Sequence, residues 1–174
     1  RSACKSEAEI QRRIYGRFMP DEDRIYIAYD PQINRKPAHP LPKDWLIYVG
    51  VDIGSGGDTG HSSAISCVAV RPDFKLARVF MGWHSGREIT TVAMVVDKVL
   101  ELTRDLNIAQ IFYDWACADF WTIAQGMGLD VQPAQKGKQL GEQTVNVLFK
   151  NEILAIYDLP ELDQLDRELL TYTR

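Results

Sequence analysis

Cysteine is scarce: Cys4, Cys67 and Cys117 are an odd set of three in 174 residues, with no CxxC spacing. That excludes a zinc or disulfide framework of the usual patterns and suits a reducing compartment, with the thiols free. No run approaches about 20 uninterrupted apolar residues, and the N-terminus has no charged-then-apolar pattern, so neither a membrane span nor a secretory signal is read and a cytosolic chain is expected. Positive charge is not in excess either, with Lys+Arg 20 against Asp+Glu 24 and a net charge of -4. Coating of nucleic acid by bulk charge is excluded, and any such contact must be a local patch. A phosphate loop of the form G-x-x-x-x-G-K-[ST] is missing, which excludes a P-loop motor within this chain.

What is present is the composition of an ordinary globular protein: 45% hydrophobic, 25% charged and 10% aromatic residues. The length suffices for one proper core with an appended segment. Residues 1–45 form that segment. Ser6-Glu7-Ala8-Glu9 resembles a capping box ahead of Ile10, Ile14 and Phe18, predicting a short amphipathic helix. Pro20, Pro31, Pro37, Pro40 and Pro42 then mark an extended connector. The chain opens on Arg1 and stops at Thr171-Tyr172-Thr173-Arg174 without a helix stop signal, and is expected to be a piece of something longer.

From residue 46 to 174 the pattern predicts one α/β domain. Leu46 to Ile53 reads as a central strand covered on both faces; Ser63 to Val70 and Phe74 to Trp83 follow as an antiparallel meander across the turn Arg71-Pro72-Asp73. Residues 88–106 carry apolar side chains at helical spacing. After them come a strand at 108–114, a helix at 117–127, a short strand at 129–131, a helix at 141–149, a strand at 153–157 and a helix opening at Pro160. Three antiparallel strands followed by alternating helices and strands predict a mixed sheet flanked by helices, without internal repeats.

Two carboxylates stand out. Asp52 ends the first apolar strand and runs into Ile53-Gly54-Ser55-Gly56-Gly57-Asp58-Thr59-Gly60-His61, where glycines leave backbone open to close approach. Asp114 ends the strand Ala109-Gln110-Ile111-Phe112-Tyr113 in the same way. If those strands are neighbours, both acids reach one sheet edge, a site for hard divalent ions such as Mg²⁺ or Mn²⁺; a pair of ions there could serve phosphodiester cleavage. The bland reading is turn chemistry, since Asp commonly ends strands. Lys136 and Lys138 flank Gly137 ahead of a helix and could contact phosphate, or be a solvated loop. His61 could be a base or phosphate contact. For Trp115 and Trp121, core packing is expected over stacking on a base.

These residues resemble a known family. The strand order with Asp on the first and fourth strands is similar to the ribonuclease-H/integrase nuclease superfamily, an RNase-H-like mixed sheet. More narrowly, the chain resembles the C-terminal nuclease domain of the large terminase subunit of tailed phages. The likeness rests on Glu9-Ile10-Gln11-Arg12-Arg13-Ile14-Tyr15-Gly16-Arg17-Phe18, on Val51-Asp52-Ile53-Gly54 with Ser62-Ser63-Ala64-Ile65, and on Tyr113-Asp114 with Val131-Gln132-Pro133-Ala134 and Lys136. The resemblance implies a metal-dependent endonuclease acting on double-stranded concatemeric DNA with two Mg²⁺ or Mn²⁺ ions. Asp52 and Asp114 would be catalytic metal ligands; Gly54, His61, Lys136 and Lys138, read from their own chemistry, are the candidate DNA contacts. The third acidic ligand is expected beyond Arg174, with Asp163 and Asp166 as weaker candidates. Implied partners are an ATPase motor domain of the same polypeptide, the portal ring and the small terminase subunit, all in the cytoplasm of the infected host cell.

Three rivals remain open on sequence. Asp52-Ile53-Gly54-Ser55-Gly56 also resembles the first phosphate loop of actin-like and sugar-kinase ATPases, although Trp115 and Ala116, not Gly, follow Asp114 and there is little room for a second domain. A Holliday-junction resolvase would share the carboxylates. A non-catalytic docking module that holds DNA or a portal ring is the alternative outside enzymes.

Overall fold

In the computed structural model, residues 24–54, 56–57, 60–135 and 137–173 are described. The expected helix near residues 6–18 lies outside them. Within the proline-rich connector, Asp30 caps a single helical turn, α1 (Pro31–Asn34), its carboxylate accepting from the Gln32 N–H at 2.9 Å, with proline at the first helical position. A two-residue strand, β1 (Arg35–Lys36), follows. The prolines on either side concealed it, although none falls on the two residues that pair.

Six further strands complete the sheet: β2 (Leu46–Asp52), β3 (Ala64–Val70), β4 (Ala77–His84), β5 (Ile108–Tyr113), β6 (Val131–Pro133) and β7 (Leu154–Tyr157). Their order is β1-β7-β4-β3-β2-β5-β6. β2 and β4 pair antiparallel with β3, and every other pairing is parallel. Six strands therefore run one way and β3 alone runs back, so the carboxyl ends of the six gather at one edge. The expected mixed sheet flanked by helices is the fold observed.

Helices α2 (Val92–Thr103) and α3 (Ala118–Gly126) cover one face. Thr91 caps α2 through the Met94 N–H, and its stripe of Val95, Val96 and Val99 is fully buried against Val49, Val51, Ile65, Cys67, Ile111 and Tyr113. The other face is covered by α4 (Lys138–Lys150), a 3-10 turn (Pro160–Leu162), α5 (Asp163–Thr171) and the segment from Arg24 onward. Tyr29, Phe149, Ile156 and Leu162 form its core over β4 and β7.

This second cover is incomplete. Along β2, Ile47, Val49 and Val51 are buried while Leu46, Tyr48 and Gly50 are half-buried and Asp52 is exposed. The apolar run at 46–53 had suggested a strand covered twice, but α4 and α5 pack over β4 and β7 and leave the β2–β5 part of their face partly open. Trp115 and Trp121 also depart from expectation, being 51% and 49% exposed rather than packed in the core. Trp115 stands at the corner of a turn, and Trp121 lies about 100° round α3 from the fully buried Phe120.

Candidate active site

Asp52 occupies the last position of β2, and Asp114 follows the last residue of β5. Val51 pairs with Tyr113 in the parallel register, and the Asp114 N–H donates to the Val51 carbonyl at 3.3 Å. The register thus brings Asp52 and Asp114 onto neighbouring strands whose backbones lie about 4.8 Å apart. By alternation both fall on the face that carries Gly50 and Phe112, and both are exposed.

Local hydrogen bonds hold Asp114 in place. Its Oδ1 accepts the Ala116 N–H at 3.0 Å and its carbonyl accepts the Cys117 N–H at 3.0 Å, an Asx turn leading into α3. The second carboxylate oxygen carries no such bond among the described residues. Antiparallel register extends the edge from Asp52 to Ala64 and then to His84, about 10 Å from Asp52 across two strand spacings.

The glycine loop behind Asp52 is filled by the chain itself. A Cβ on Gly54 would fall 1.9 Å from the His61 carbonyl oxygen, and one on Gly56, whose φ is +65°, would fall 2.2 Å from the Glu88 carbonyl oxygen. Gly56 N–H donates to His61 O at 3.0 Å and Gly57 N–H to Arg87 O at 3.1 Å. The close approach these glycines permit is therefore used to fold the loop, and Gly57, with only Ile89 nearby among the described residues, is the more open of them. His61 is exposed and lends its carbonyl rather than its ring to this arrangement.

A buried hydroxyl network that the sequence reading missed fixes the base of the loop. Ser63 Oγ contacts Gly54 N–H at 3.1 Å, Gly54 O at 3.2 Å and Thr90 Oγ1 at 2.8 Å, while Ser63 N–H donates to Ser85 Oγ at 2.9 Å. The only signal was a serine opening a strand directly after the glycines; its partners lie 22 and 27 residues away.

Among the remaining candidates, Asp163 and Asp166 stand with Asp158 around Arg35, towards the β1–β7 end of the sheet: Nη2 is 2.7 Å from Asp158 and from Asp163, and Nη1 is 3.4 Å from Asp166. Tyr29 donates its hydroxyl to Asp166 as well. Lys138 Nζ sits 5.7 Å from the centre of the Tyr172 ring, and its bond to that tyrosine raises its pKa above the ordinary lysine value. Lys136 lies outside the described residues.

Among the described residues no cluster of three or more His, Cys, Asp or Glu is placed to hold a metal ion. Asp52 and Asp114 nevertheless fit a hard divalent cation, since both offer exposed carboxylate oxygens from fixed backbone at one edge.

No protein family and no curated protein matches the sequence. Solved structures do match in shape. The large terminase of a thermophilic bacteriophage, in complex with ATP-gamma-S, superposes with a TM-score of 0.77 at 18% identity, over 98% of this chain and 42% of that one. The P22 large terminase nuclease domain gives 0.69 at 11% identity, over 87% and 79%. The large terminase nuclease of thermophilic phage G20c, with bound magnesium, gives 0.64 at 16% identity, over 88% and 82%. The chain thus spans 42% of the ATP-gamma-S-bound terminase and most of each nuclease domain. At these identities the likeness carries the architecture, and the architecture of this chain is that of a large-terminase nuclease domain.

Proposed function

We propose that this chain is the endonuclease domain of a viral DNA-packaging terminase, cutting double-stranded concatemeric DNA by metal-dependent phosphodiester hydrolysis. The observation that carries the reading is the Asp52–Asp114 pair on adjacent parallel strands of a large-terminase nuclease fold. Asp52 and Asp114 would hold Mg²⁺ or Mn²⁺, in keeping with the magnesium bound to the G20c nuclease. Two bound ions would supply an activated water and neutralise charge on the leaving oxygen.

The chain's own residues set the geometry. Asp52 and Asp114 would hold the cation, Asp114 with its carboxylate oriented through the Ala116 N–H, and a further acid would complete the set. Lys136, Lys138 and His61 are phosphate contacts in this reading, positioning DNA without reading sequence. The ATPase motor of the same polypeptide, the portal ring and the small terminase subunit are its partners, in the cytoplasm of the infected cell.

Plasmid nicking tests it. In Mn²⁺ the chain is expected to nick supercoiled DNA, and Asp52→Asn to abolish nicking while keeping the circular dichroism spectrum. Undiminished nicking by Asp52→Asn would overturn the assignment.

A further inference from the structure

The open part of the sheet face beside the acids carries two aromatic rings. Phe112 alternates with the buried Ile111 and Tyr113, so its own side chain points to the uncovered face and is 36% exposed. Tyr48, half-buried on β2, lies nearly parallel to it, with ring centres 6.5 Å apart and planes inclined by 16°. An exposed Phe112 beside a half-buried Tyr48 makes a contiguous aromatic strip rather than a lone surface ring, and contiguous apolar patches mark interaction sites.

The strip leads to the acids. Phe112 precedes Asp114 by two residues, roughly 7 Å along the strand, and Tyr48 precedes Asp52 by four, roughly 13 Å, all on one face. Gly50 lies between Tyr48 and Asp52 and is paired with Phe112 across the strands. Its register partners are Ser66 on β3 and then Gly82 on β4, where Leu162 closes the lane. The result is a low floor flanked by two rings and ending at two carboxylates.

We propose that Phe112 and Tyr48 are a stacking platform for the base next to the scissile phosphate, with the DNA strand lying over Gly50 to reach Asp52 and Asp114. The proposal rests on the nuclease reading for what the acids do, and adds how the strand is held. With cations at the acids the scissile phosphate would be held there, which leaves the adjoining base as the part of the strand for the rings to hold. Stacking on a ring accepts every base, which suits cleavage with little sequence preference. It also requires the base to be unstacked, so the site favours a strand that is frayed or mispaired beside the cut.

The test uses a short duplex with one mispaired 2-aminopurine, in Ca²⁺, read by fluorescence. Wild type should quench the probe. Phe112→Leu, which keeps apolar bulk and loses the ring, should bind roughly tenfold more weakly and lose the quench. Phe112→Tyr should restore both. Gly50→Ala, which keeps both rings and brings its Cβ to 3.3 Å from the Ser66 hydroxyl, should raise the floor of the lane and weaken the quench. Binding and quenching by Phe112→Leu equal to wild type would overturn the platform, as would a change confined to self-association in sedimentation. Plasmid nicking separates the two readings. Nicking that depends on Asp52 but ignores Phe112 sinks the platform alone, whereas ring-dependent quenching without nicking sinks the nuclease assignment alone.

Discussion

Asp114 is tied to Val51 by a main-chain hydrogen bond of 3.3 Å, one residue before Asp52, so the two acids share a fixed backbone frame rather than a flexible loop. Their separation is set by strand spacing and does not depend on any side chain packed between them. Asp114→Asn should therefore lower Mn²⁺-dependent nicking by at least about 10²-fold while keeping the Asx-turn acceptor. The unfolding free energy should stay within about 0.5 kcal/mol of wild type, because the residue is exposed. A large loss of stability would instead make Asp114 a structural turn residue.

The glycine loop gives an ordered pair of stability changes. Gly54→Ala drives a methyl into the His61 backbone at 1.9 Å and should cost about 3 kcal/mol in urea unfolding. Gly57→Ala meets only Ile89 Cγ1 at 3.8 Å, but its φ of +79° imposes about 1 kcal/mol of backbone strain. Equal effects would mean that the loop relaxes freely around His61.

These substitutions bear on how far the sequence could be read. The longer strands, the long helix at 92–103 and both strand-terminal acids were legible because apolar periodicity reports burial directly, and Asp at a strand end is visible without tertiary information; two-residue β1 was hidden by its flanking prolines, and β6 starts where the expected strand at 129–131 ends. The use of the glycines was not. Open backbone at Gly54 looks the same in sequence whether a phosphate or His61 fills it, and the Ser63–Thr90 contact joins segments 27 residues apart. The uncovered face of β2 was hidden for a related reason. Leu46, Tyr48 and Gly50 are apolar enough to imitate a strand buried twice, and only the position of α4 and α5 over β4 and β7 reveals the difference. Trp115 and Trp121 misled because size and hydrophobicity favour the core, while a turn and a helix angle turned them outward.

Arg35 gathers Asp158, Asp163 and Asp166 at the edge where β1, β7 and α5 meet. Arg35→Met would leave three carboxylates facing one another and should destabilise the protein by about 2 kcal/mol. Part of the loss should return at high salt, which screens their repulsion. Chemical unfolding at low and high NaCl checks both statements; no salt dependence would mean that the acids simply turn to solvent.

Alkaline pH provides a further check. Burial raises the Cys67 thiol from 9.0 to about 11. Burial and the bond to Asp166 push the Tyr29 hydroxyl well above the ordinary tyrosine value. Both groups stay neutral in the folded chain after they would ionise in the unfolded one, so the Cys67 contribution is complete below pH 9.0 and is lost as pH rises to about 11, while that of Tyr29 starts to fall only above pH 10.0. For Cys67 the loss over that window is on the order of 2 kcal/mol. Urea midpoints across the window should fall more steeply for wild type than for Cys67→Val, and parallel curves would contradict the assignment.

The path by which the chain enters the sheet has a mechanical consequence. Arg24 bridges to Thr173 and donates to the carbonyls of Ile27 and Tyr29, and the segment behind it reaches the sheet through β1, four strands from β2. Tension applied ahead of Arg24 is loaded first onto these contacts and onto the two-residue β1 ladder. They act as a fuse: in a pulling experiment they should yield at low force, and the sheet that carries Asp52 and Asp114 should bear load only afterwards.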